Sequence, residues 1–213
     1  MKKIKYPKTL HLPWSENLQN DDRMLESTDC FIGKEIVVLE KYDGENTSLS
    51  RNYIHARSTT EGALTSKQAW SREWVKKLWG DIRYEIPEGL RIHGENMYAL
   101  HSIKYDNLPS YFLVFAISNE NSFLSYQEVV EWSNLLGLEY IKPILSGLWD
   151  EKTIKGLWPF KSEFGESAES YVVRNIKSFK IEDFQNNVAK FVRKNHIQTD
   201  ETWFKGEWVK NGV

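Results

Sequence analysis

The sequence has 213 residues, of which 40% are hydrophobic and 27% charged, and its formal net charge is −2. This balance suits one globular domain and gives no sign of a strongly basic nucleic-acid binder, although a local basic groove can lie on an acidic body. No apolar run approaches the roughly 18 residues of a membrane span, and the single cysteine, Cys30, excludes a disulfide framework, so we expect no membrane partner and a reducing, cytoplasmic location.

Strand patterns recur along the chain as runs that are rich in β-branched and aromatic residues. In chain order they predict strands at residues 35–41, 47–51, 90–93, 111–117 and 171–174. Helix patterns lie between these strands.

The first predicted helix covers residues 66–79, where Trp70, Trp74 and Leu78 are spaced four apart on one face. A second begins at Ser125, which forms a capping-box pattern with Glu128, and it ends before Gly137. Because strands outnumber helices and alternate with them irregularly, we predict an α+β fold of antiparallel β-sheets flanked by helices.

An apolar strand runs into a charged turn at Lys41-Tyr42-Asp43-Gly44. One interpretation is a plain β-hairpin with solvated charges, because Asp-Gly is a common hairpin turn. The other is covalent nucleotide transfer, in which a lysine amine attacks the α-phosphorus of ATP, expels pyrophosphate and becomes a phosphoramidate.

The attacking amine must be neutral, and lowering a lysine pKa of about 10.4 by about three units requires roughly 4 kcal/mol. A divalent cation and partial desolvation can supply this stabilisation. The carboxylates of Glu40 and Asp43 would raise the pKa instead, so we expect them to hold a metal, a metal-bound water or the ribose.

Further motifs follow Lys41 in order. They are His-Ala-Arg-Ser at 55–58, Arg-Ile-His-Gly-Glu-Asn at 91–96, the apolar run 111–117, Glu-Ser-Tyr-Val-Val-Arg at 169–174 and Val-Ala-Lys-Phe-Val-Arg at 188–193. The series resembles the motif set of the covalent nucleotidyltransferases, which include ligases and capping enzymes. It most resembles the RNA ligase branch with a phage RNA ligase and the kinetoplastid RNA-editing ligases. The resemblance implies an ATP-grasp-like nucleotidyltransferase fold, here as a ligase catalytic domain.

The resemblance implies a role for each matching residue. Lys41 is the nucleophile of a catalytic motif that includes Asp43, and Glu40 contacts the AMP ribose or the metal–water shell. Asn46 orients the reacting phosphate. Arg57 contacts the ribose and the substrate phosphate, and Glu95 binds the ribose hydroxyl.

Three later residues complete the implied site. Phe115 stacks on adenine, Glu169 helps to hold the catalytic metal together with Glu40 in its outer shell, and Lys190 binds phosphate. From the residues alone, Phe115 is equally explained as core, and Glu169 and Lys190 as solvated surface charges.

Two positions depart from the family pattern. Ser170 stands where the family usually has glycine, which affects close backbone approach. The last motif usually has two lysines separated by one residue, but Val192 occupies the second place. Either Arg193 replaces that lysine through a β-bulge, or Lys190 alone serves the phosphate.

The resemblance implies an ATP-dependent RNA ligase that takes AMP onto Lys41, transfers it to an RNA 5′-phosphate and seals that end to a 3′-hydroxyl. Its expected cofactors are ATP and Mg²⁺ or Mn²⁺. Its expected partners are RNA with these ends and an end-healing kinase or phosphatase. The alternatives are a minimal DNA ligase, a guanylyl-transferring capping enzyme, and a non-catalytic nucleic-acid-binding module.

We expect residues 1–213 to form a single adenylyltransferase domain, because the 20 residues after Arg193 are too few for a C-terminal oligonucleotide-binding (OB) domain. That expectation argues against a DNA ligase and a capping enzyme. We also expect the aromatic-rich start at His11-Leu12-Pro13-Trp14 to pack near the site, with no chemical role assigned to it.

Overall fold

The protein is represented by a computed structural model that describes residues 4–18, 22–57, 66–194 and 208–213, with only the backbone at residues 66 and 67. Its strands in chain order are β1 (Leu10–His11), β2 (Glu35–Lys41), β3 (Glu45–Leu49), β4 (Ile54–Ala56), β5 (Arg91–Asn96), β6 (Phe112–Ser118), β7 (Ser122–Phe123), β8 (Glu139–Tyr140), β9 (Pro143–Leu148), β10 (Ser170–Asn175), β11 (Phe179–Lys180) and β12 (Val188–Val192). Its α-helices are α1 (Ser66–Ser71), α2 (Glu73–Ile82), α3 (Tyr126–Leu135) and α4 (Glu151–Gly156), and 3₁₀ helices lie at Asp29–Phe31 and Ile181–Asn186.

The strands form two sheets. A five-stranded sheet has the order β1-β12-β10-β2-β9, and a seven-stranded sheet has the order β11-β7-β6-β5-β3-β4 with β8 beside β6. Two of the pairings are parallel, β1 with β12 and β6 with β8, while the central pairings are antiparallel. The predicted α+β fold of antiparallel sheets is therefore confirmed.

The two sheets pack against each other and are covered on their outer faces. Helices α2 and α3 cover the seven-stranded sheet through an apolar cluster that includes Val75 and Val129. The N-terminal segment and α4 cover the five-stranded sheet through Leu12 and Ile154. These layers place the space between the sheets at the centre of the molecule.

Strand β2 is buried on both faces, which explains its unbroken apolar run. Val37 and Leu39 face the interior between the sheets, whereas Ile36 and Val38 face the outer cluster. Lys41 is the last residue of this strand, and the alternation of side chains places it on the face of Leu39.

The helix predicted over residues 66–79 is wrong in detail, because it is two helices that break at Arg72. The Asn96 amide donates to the Ser71 carbonyl at 2.9 Å, and the Arg72 guanidinium binds Glu45. These contacts with β3 and β5 accompany a turn at Arg72, whose φ is −107° and ψ 0°.

The capping box at the start of α3 is confirmed. The Ser125 hydroxyl accepts the N–H of Glu128 at 3.3 Å, and the Glu128 carboxylate accepts the Ser125 N–H at 2.8 Å. Both bonds satisfy backbone donors that the first turn of a helix cannot pair internally.

Ser125→Ala is expected to lower the free energy of unfolding by about 1 kcal/mol, because it removes the hydroxyl that caps α3. Urea unfolding monitored by circular dichroism measures the change. The exposed neighbour Gln127 provides the control, since Gln127→Ala should stay within about 0.5 kcal/mol of the parent protein. Equal stability of Ser125→Ala and the parent would show that the cap contributes nothing.

Candidate active site

Lys41 and Glu169 form an ion pair between β2 and the residue that precedes β10. The Lys41 amine lies 2.7 Å from Glu169 Oε1 and 2.8 Å from Oε2. The Glu169 side chain is fully buried, while that of Lys41 is 28% exposed. Antiparallel pairing of Lys41 with Ser170 brings the two charges together. Glu169 is therefore not a solvated surface charge.

The charges around Lys41 favour its protonated form. Burial lowers the pKa of the Lys41 ammonium, but the carboxylates of Glu169, Glu95 and Asp43 raise it, and the net pKa lies above the ordinary value of lysine. Without a further positive charge at the site, Lys41 is a cation near neutral pH and cannot act as a nucleophile.

A cleft between the two sheets begins at Lys41 and encloses about 700 Å³, counting the part open to solvent. Its walls are mostly apolar, and Phe115 projects into it from β6 together with Leu39 and Val172. Phe115 is only partly buried against the two inner clusters, so one part of its side chain is available to a ligand.

Asn46 and Glu95 are neighbours in the β3–β5 pairing and both line the cleft. Asn46 Oδ1 is buried without a hydrogen-bond partner among the described residues, which is a position for a ligand group. Burial raises the pKa of Glu95 from 4.5 to about 8, Lys41 lowers it, and Glu169 and Asp43 add to the rise. Glu95 is therefore mostly protonated at neutral pH and can donate a hydrogen bond.

Asp43 holds a neighbouring loop. Its Oδ2 accepts hydrogen bonds from the backbone N–H of Ser102 at 2.8 Å and of Ile103 at 3.1 Å. Burial opposes ionisation, but the Ser102 bonds and the charges of His101 and Lys41 lower the pKa of Asp43. Asp43 therefore fixes the turn that carries Lys41.

Gly44 permits the turn to approach β5 closely. A Cβ atom at this position would lie 2.6 Å from the carbonyl oxygen of Asn96. Any other residue would push the turn away from the strand that carries Glu95.

Glu40 lines the cleft, and its role as a metal or ribose ligand stays a prediction. Glu40 pairs with Tyr171, whose side chain lies in the outer cluster, so its side chain leaves β2 on the face opposite to that of Lys41. There it accepts the N–H of Glu163 at 3.4 Å. Burial raises its pKa, while nearby donors that include Ser162 and Tyr42 lower it. Alternation along a strand could have predicted this orientation from the sequence.

Arg57 follows β4, and its backbone N–H donates to the Asn46 carbonyl at 2.8 Å. Its guanidinium Nε is buried without a hydrogen-bond partner among the described residues. The next residue of the predicted motif, Ser58, lies outside the described residues.

Lys190 lies on β12, opposite Val172 of β10, and lines the cleft. The β10–β12 pairing is continuous from Val188 to Val192, so Val192 shares the face of Lys190 and Arg193 follows the last paired residue. A bulge within β12 that would turn Arg193 toward the cleft is therefore absent from the described strand. Lys190 therefore lines the cleft, and the phosphate-binding role of Arg193, whose Nε is buried without a hydrogen-bond partner among the described residues, stays a prediction.

The sequence analysis did not predict Asp22 and His11, two residues that lie near Lys190, as site residues. Asp22 Oδ1 lies 3.4 Å from the Lys190 amine, and Asp22 Oδ2 lies 3.1 Å from Nε2 of His11. Neither residue belongs to a motif, and the sequence had only suggested that the segment around His11 packs near the site. A third cleft residue, Arg174, is buried and donates to the Leu124 carbonyl at 2.7 Å.

The donor set fits a hydrated divalent cation. Across the described ranges, no group of three or more His, Cys, Asp or Glu side chains could hold a metal by itself. Mg²⁺ keeps several waters and needs one or two carboxylates besides substrate phosphates, and Glu169 presents one carboxylate beside Lys41.

No helix in the part of the chain that the structure describes is long and apolar enough to cross a membrane.

Comparisons with known proteins match most of this chain. The model of a protein family described as RNA ligase matches residues 34–192, a range that includes Lys41, Glu95, Glu169 and Lys190. A comparison with the curated proteins found no match.

Among solved structures, the Naegleria gruberi RNA ligase with pyrophosphate matches with a TM-score of 0.55 and 17% identity, over 89% of this chain and 57% of that chain. A mutant of the same ligase with ATP and manganese matches with a TM-score of 0.52 and 14% identity, over 78% of this chain and 51% of that chain. This chain thus spans little more than half the length of that ligase. The likeness shows a shared fold, and the predicted ligase catalytic fold is confirmed.

The raised pKa of Glu95 predicts a pH dependence of stability. Between pH 4.5 and about 8 the folded state keeps a proton that the unfolded chain releases, so the free energy of unfolding falls as the pH rises through this range. Glu95→Gln mimics the protonated acid and should remove this loss. Relative to the parent, the variant should therefore gain stability as the pH rises from about 5 to about 9.

Urea unfolding in the presence of a chelator measures this difference. The exposed Glu88 provides the matched control, since Glu88→Gln should run parallel to the parent protein. A constant stability difference between Glu95→Gln and the parent across the range would contradict the assignment.

Proposed function

Because this chain belongs to the RNA ligase family, we propose that it is an ATP-dependent RNA ligase that forms a lysyl-AMP intermediate on Lys41. The observation that carries the proposal is the ion pair of buried Glu169 with Lys41, a lysine that lines an apolar cleft. An isolated hairpin turn needs neither a buried carboxylate partner nor a cleft beside its lysine.

The cleft binds ATP with adenine against Phe115 and the phosphates toward the two lysines. Stacking of a base on an aromatic face contributes about 1–3 kcal/mol. The ribose lies near Glu95, whose protonated carboxyl donates a hydrogen bond, and near Asn46. Lys190 binds the phosphates from the opposite sheet, and Arg57 approaches them from the end of β4.

In the first step the neutral Lys41 amine attacks the α-phosphorus of ATP. A nitrogen–phosphorus bond forms, the bond to the bridging oxygen breaks, and pyrophosphate leaves with the electron pair while the amine nitrogen loses one proton and becomes the N–H of a phosphoramidate. Glu169 would hold a divalent cation, which would supply positive charge that favours the neutral amine and stabilises the charge on the phosphates. Lys190 stabilises the same developing negative charge from the other side of the cleft.

In the second step an oxygen of an RNA 5′-phosphate attacks the lysyl-AMP phosphorus. The phosphorus–nitrogen bond breaks and Lys41 recovers its protons. In the third step an RNA 3′-hydroxyl attacks the activated 5′-phosphate, a phosphodiester bond forms and AMP leaves. Glu169 then pairs again with the protonated Lys41.

RNA with a 5′-phosphate and a 3′-hydroxyl is the proposed substrate, and an enzyme that heals damaged ends is a proposed partner. We propose that residues 1–213 act as one adenylyltransferase unit. The Lys41–Glu169 pair and the intact cleft favour an enzyme over a non-catalytic binding module. A minimal DNA ligase and a guanylyl-transferring enzyme share this chemistry and are separated by substrate choice.

Lys41→Arg is expected to abolish covalent uptake of AMP from α-labelled ATP with Mg²⁺, followed on a denaturing gel. Arginine keeps a positive charge beside Glu169 but is not deprotonated in proteins, so the variant keeps the ion pair and loses the nucleophile. Lys155→Ala, at an exposed lysine of α4, should label like the parent protein. The parent should label with ATP and not with GTP, and a chelator should remove the label. Labelling of Lys41→Arg at the parent level would refute the proposal.

Sealing is expected to require ribose at the 3′-hydroxyl end. A ligase that distinguishes RNA from DNA must read the 2′-hydroxyl or A-form geometry, because the phosphates are common to both. Misalignment of the attacking hydroxyl by about 1 Å can cost on the order of 10²-fold in rate. We therefore expect a loss of that order when the last two sugars become deoxyribose.

The test uses pre-adenylylated 5′ strands, so that only the third step is measured. The substrates differ only in the terminal two sugars on the 3′-hydroxyl side. Equal sealing rates would contradict the preference for RNA and indicate a general polynucleotide ligase. The proposed lysyl-AMP chemistry of Lys41 would not be affected.

A further inference from the structure

A carboxylate from the N-terminal segment lies beside Lys190, which lines the cleft. Asp22 Oδ1 lies 3.4 Å from the Lys190 amine, and the two side chains are 13% and 17% exposed. Asp22 precedes residue 34, where the match to the RNA ligase family begins. The match to the family therefore does not include Asp22, and it assigns no role to this partner of Lys190.

A buried histidine lies beside Asp22. Nε2 of His11 lies 3.1 Å from Asp22 Oδ2, and the His11 side chain is 1% exposed. Nδ1 of His11 lies 2.8 Å from the Ser15 hydroxyl, which accepts the backbone N–H of Val192 at 2.9 Å. Because β1 pairs with β12, His11 is also the register partner of Lys190. Asp22 is thus connected to the strand that carries the lysine.

Lys190 needs a counter-charge more than a surface lysine does. Burial and the nearby Lys41 ammonium lower the pKa of Lys190, while Asp22 and Glu169 raise it. His11 also faces Lys190, and its own pKa is lowered by burial and by the Lys190 charge, with Asp22 opposing the shift. The neutral imidazole adds no positive charge beside the lysine.

Lys190 also has no second lysine beside it. Val192 occupies the next position on the same face of β12, where the related ligases usually have a second lysine. The charge and position of this one amine therefore decide how the last motif binds phosphate.

We propose that Asp22, which lies beside His11, is a positioning residue that supplies the counter-charge of Lys190 and directs its amine into the phosphate end of the cleft. The functional role of Asp22 rests on the proposed adenylyl transfer. Its effect on the charge of Lys190 rests only on the geometry of the cluster.

The two lysines of the cleft are held differently. Lys41 lies 2.7 Å from Glu169, the length of a strong charge-assisted hydrogen bond of about 2.7–2.9 Å. Lys190 lies 3.4 Å from Asp22, which is a looser contact. Asp22 therefore keeps Lys190 charged and in place while leaving its N–H donors available to a phosphate.

The direct test measures the titration of Lys190 in the full-length chain without nucleotide or metal. Trace labelling with acetic anhydride across an alkaline pH series, read by mass spectrometry, gives the pH at which each amine becomes reactive. Asp22→Asn preserves the shape and removes the charge. Because an opposite charge at this range shifts a pKa by about 1–3 units, the Lys190 midpoint should fall by about one unit or more.

Three controls accompany this variant. Asp22→Glu restores the charge and should keep the Lys190 midpoint near that of the parent. Asp29→Asn, at an exposed aspartate of the same segment, should leave the midpoint unchanged. Within every sample, the exposed Lys104 reports whether the effect is local. A Lys190 midpoint that stays constant or rises in Asp22→Asn would overturn the proposal.

The functional test measures the pH profile of AMP uptake at saturating ATP. Uptake should decline at high pH as Lys190 loses its charge, and Asp22→Asn should shift this decline to lower pH by about one unit, with Asp22→Glu restoring the parent profile. A merely structural role would lower uptake at every pH without moving the decline, and that result would overturn the positioning role. If the parent protein takes up no AMP, the proposed function fails, and the titration of Lys190 still decides the role of Asp22.

Discussion

The ion pair between Lys41 and Glu169 joins the end of β2 to the start of β10 inside the molecule. Glu169 is fully buried, and a buried carboxylate without a partner would cost several kcal/mol. The charge of Lys41 therefore stabilises the sheet at the place where the cleft opens. The same contact favours the protonated amine, so the arrangement that stabilises the fold opposes the proposed nucleophilic role of Lys41 until another positive charge joins Glu169.

The turn after Lys41 is fixed by the opposite sheet. Gly44 lies against the Asn96 carbonyl where a side chain cannot fit, and Asp43 binds the backbone at Ser102 and Ile103. These contacts tie the end of a strand in the five-stranded sheet to the seven-stranded sheet. The distance from Lys41 to the Phe115 wall of the cleft is therefore set by rigid elements, which suits positional catalysis.

The positive charges of the cleft are balanced in part by Asp22, which precedes the residues that match the RNA ligase family. Two ammonium groups, Lys41 and Lys190, face one space, and each lies beside a carboxylate from a different part of the chain. Like charges at close range destabilise each other in a partly dry site. The N-terminal segment that contributes Asp22 therefore belongs to the chemical environment of the cleft as well as to the packing of the five-stranded sheet.

Local sequence patterns predicted several elements of the fold and the protein family. A run rich in β-branched residues predicted β2 with its exact bounds, the capping box predicted the start of α3, and the ordered motifs identified the RNA ligase family. These features depend on residues that are close in sequence, where periodicity and turn chemistry act directly.

Tertiary structure decided which charges meet. Lys41 and Glu169 are 128 residues apart, and Lys190 and Asp22 are 168 residues apart, so no local pattern encodes either contact. The break at Arg72 likewise depends on contacts with Glu45 and Asn96 in another element. Burial between two packed sheets also raises the pKa of Glu95, because desolvation is a property of the assembled interior and not of a sequence motif.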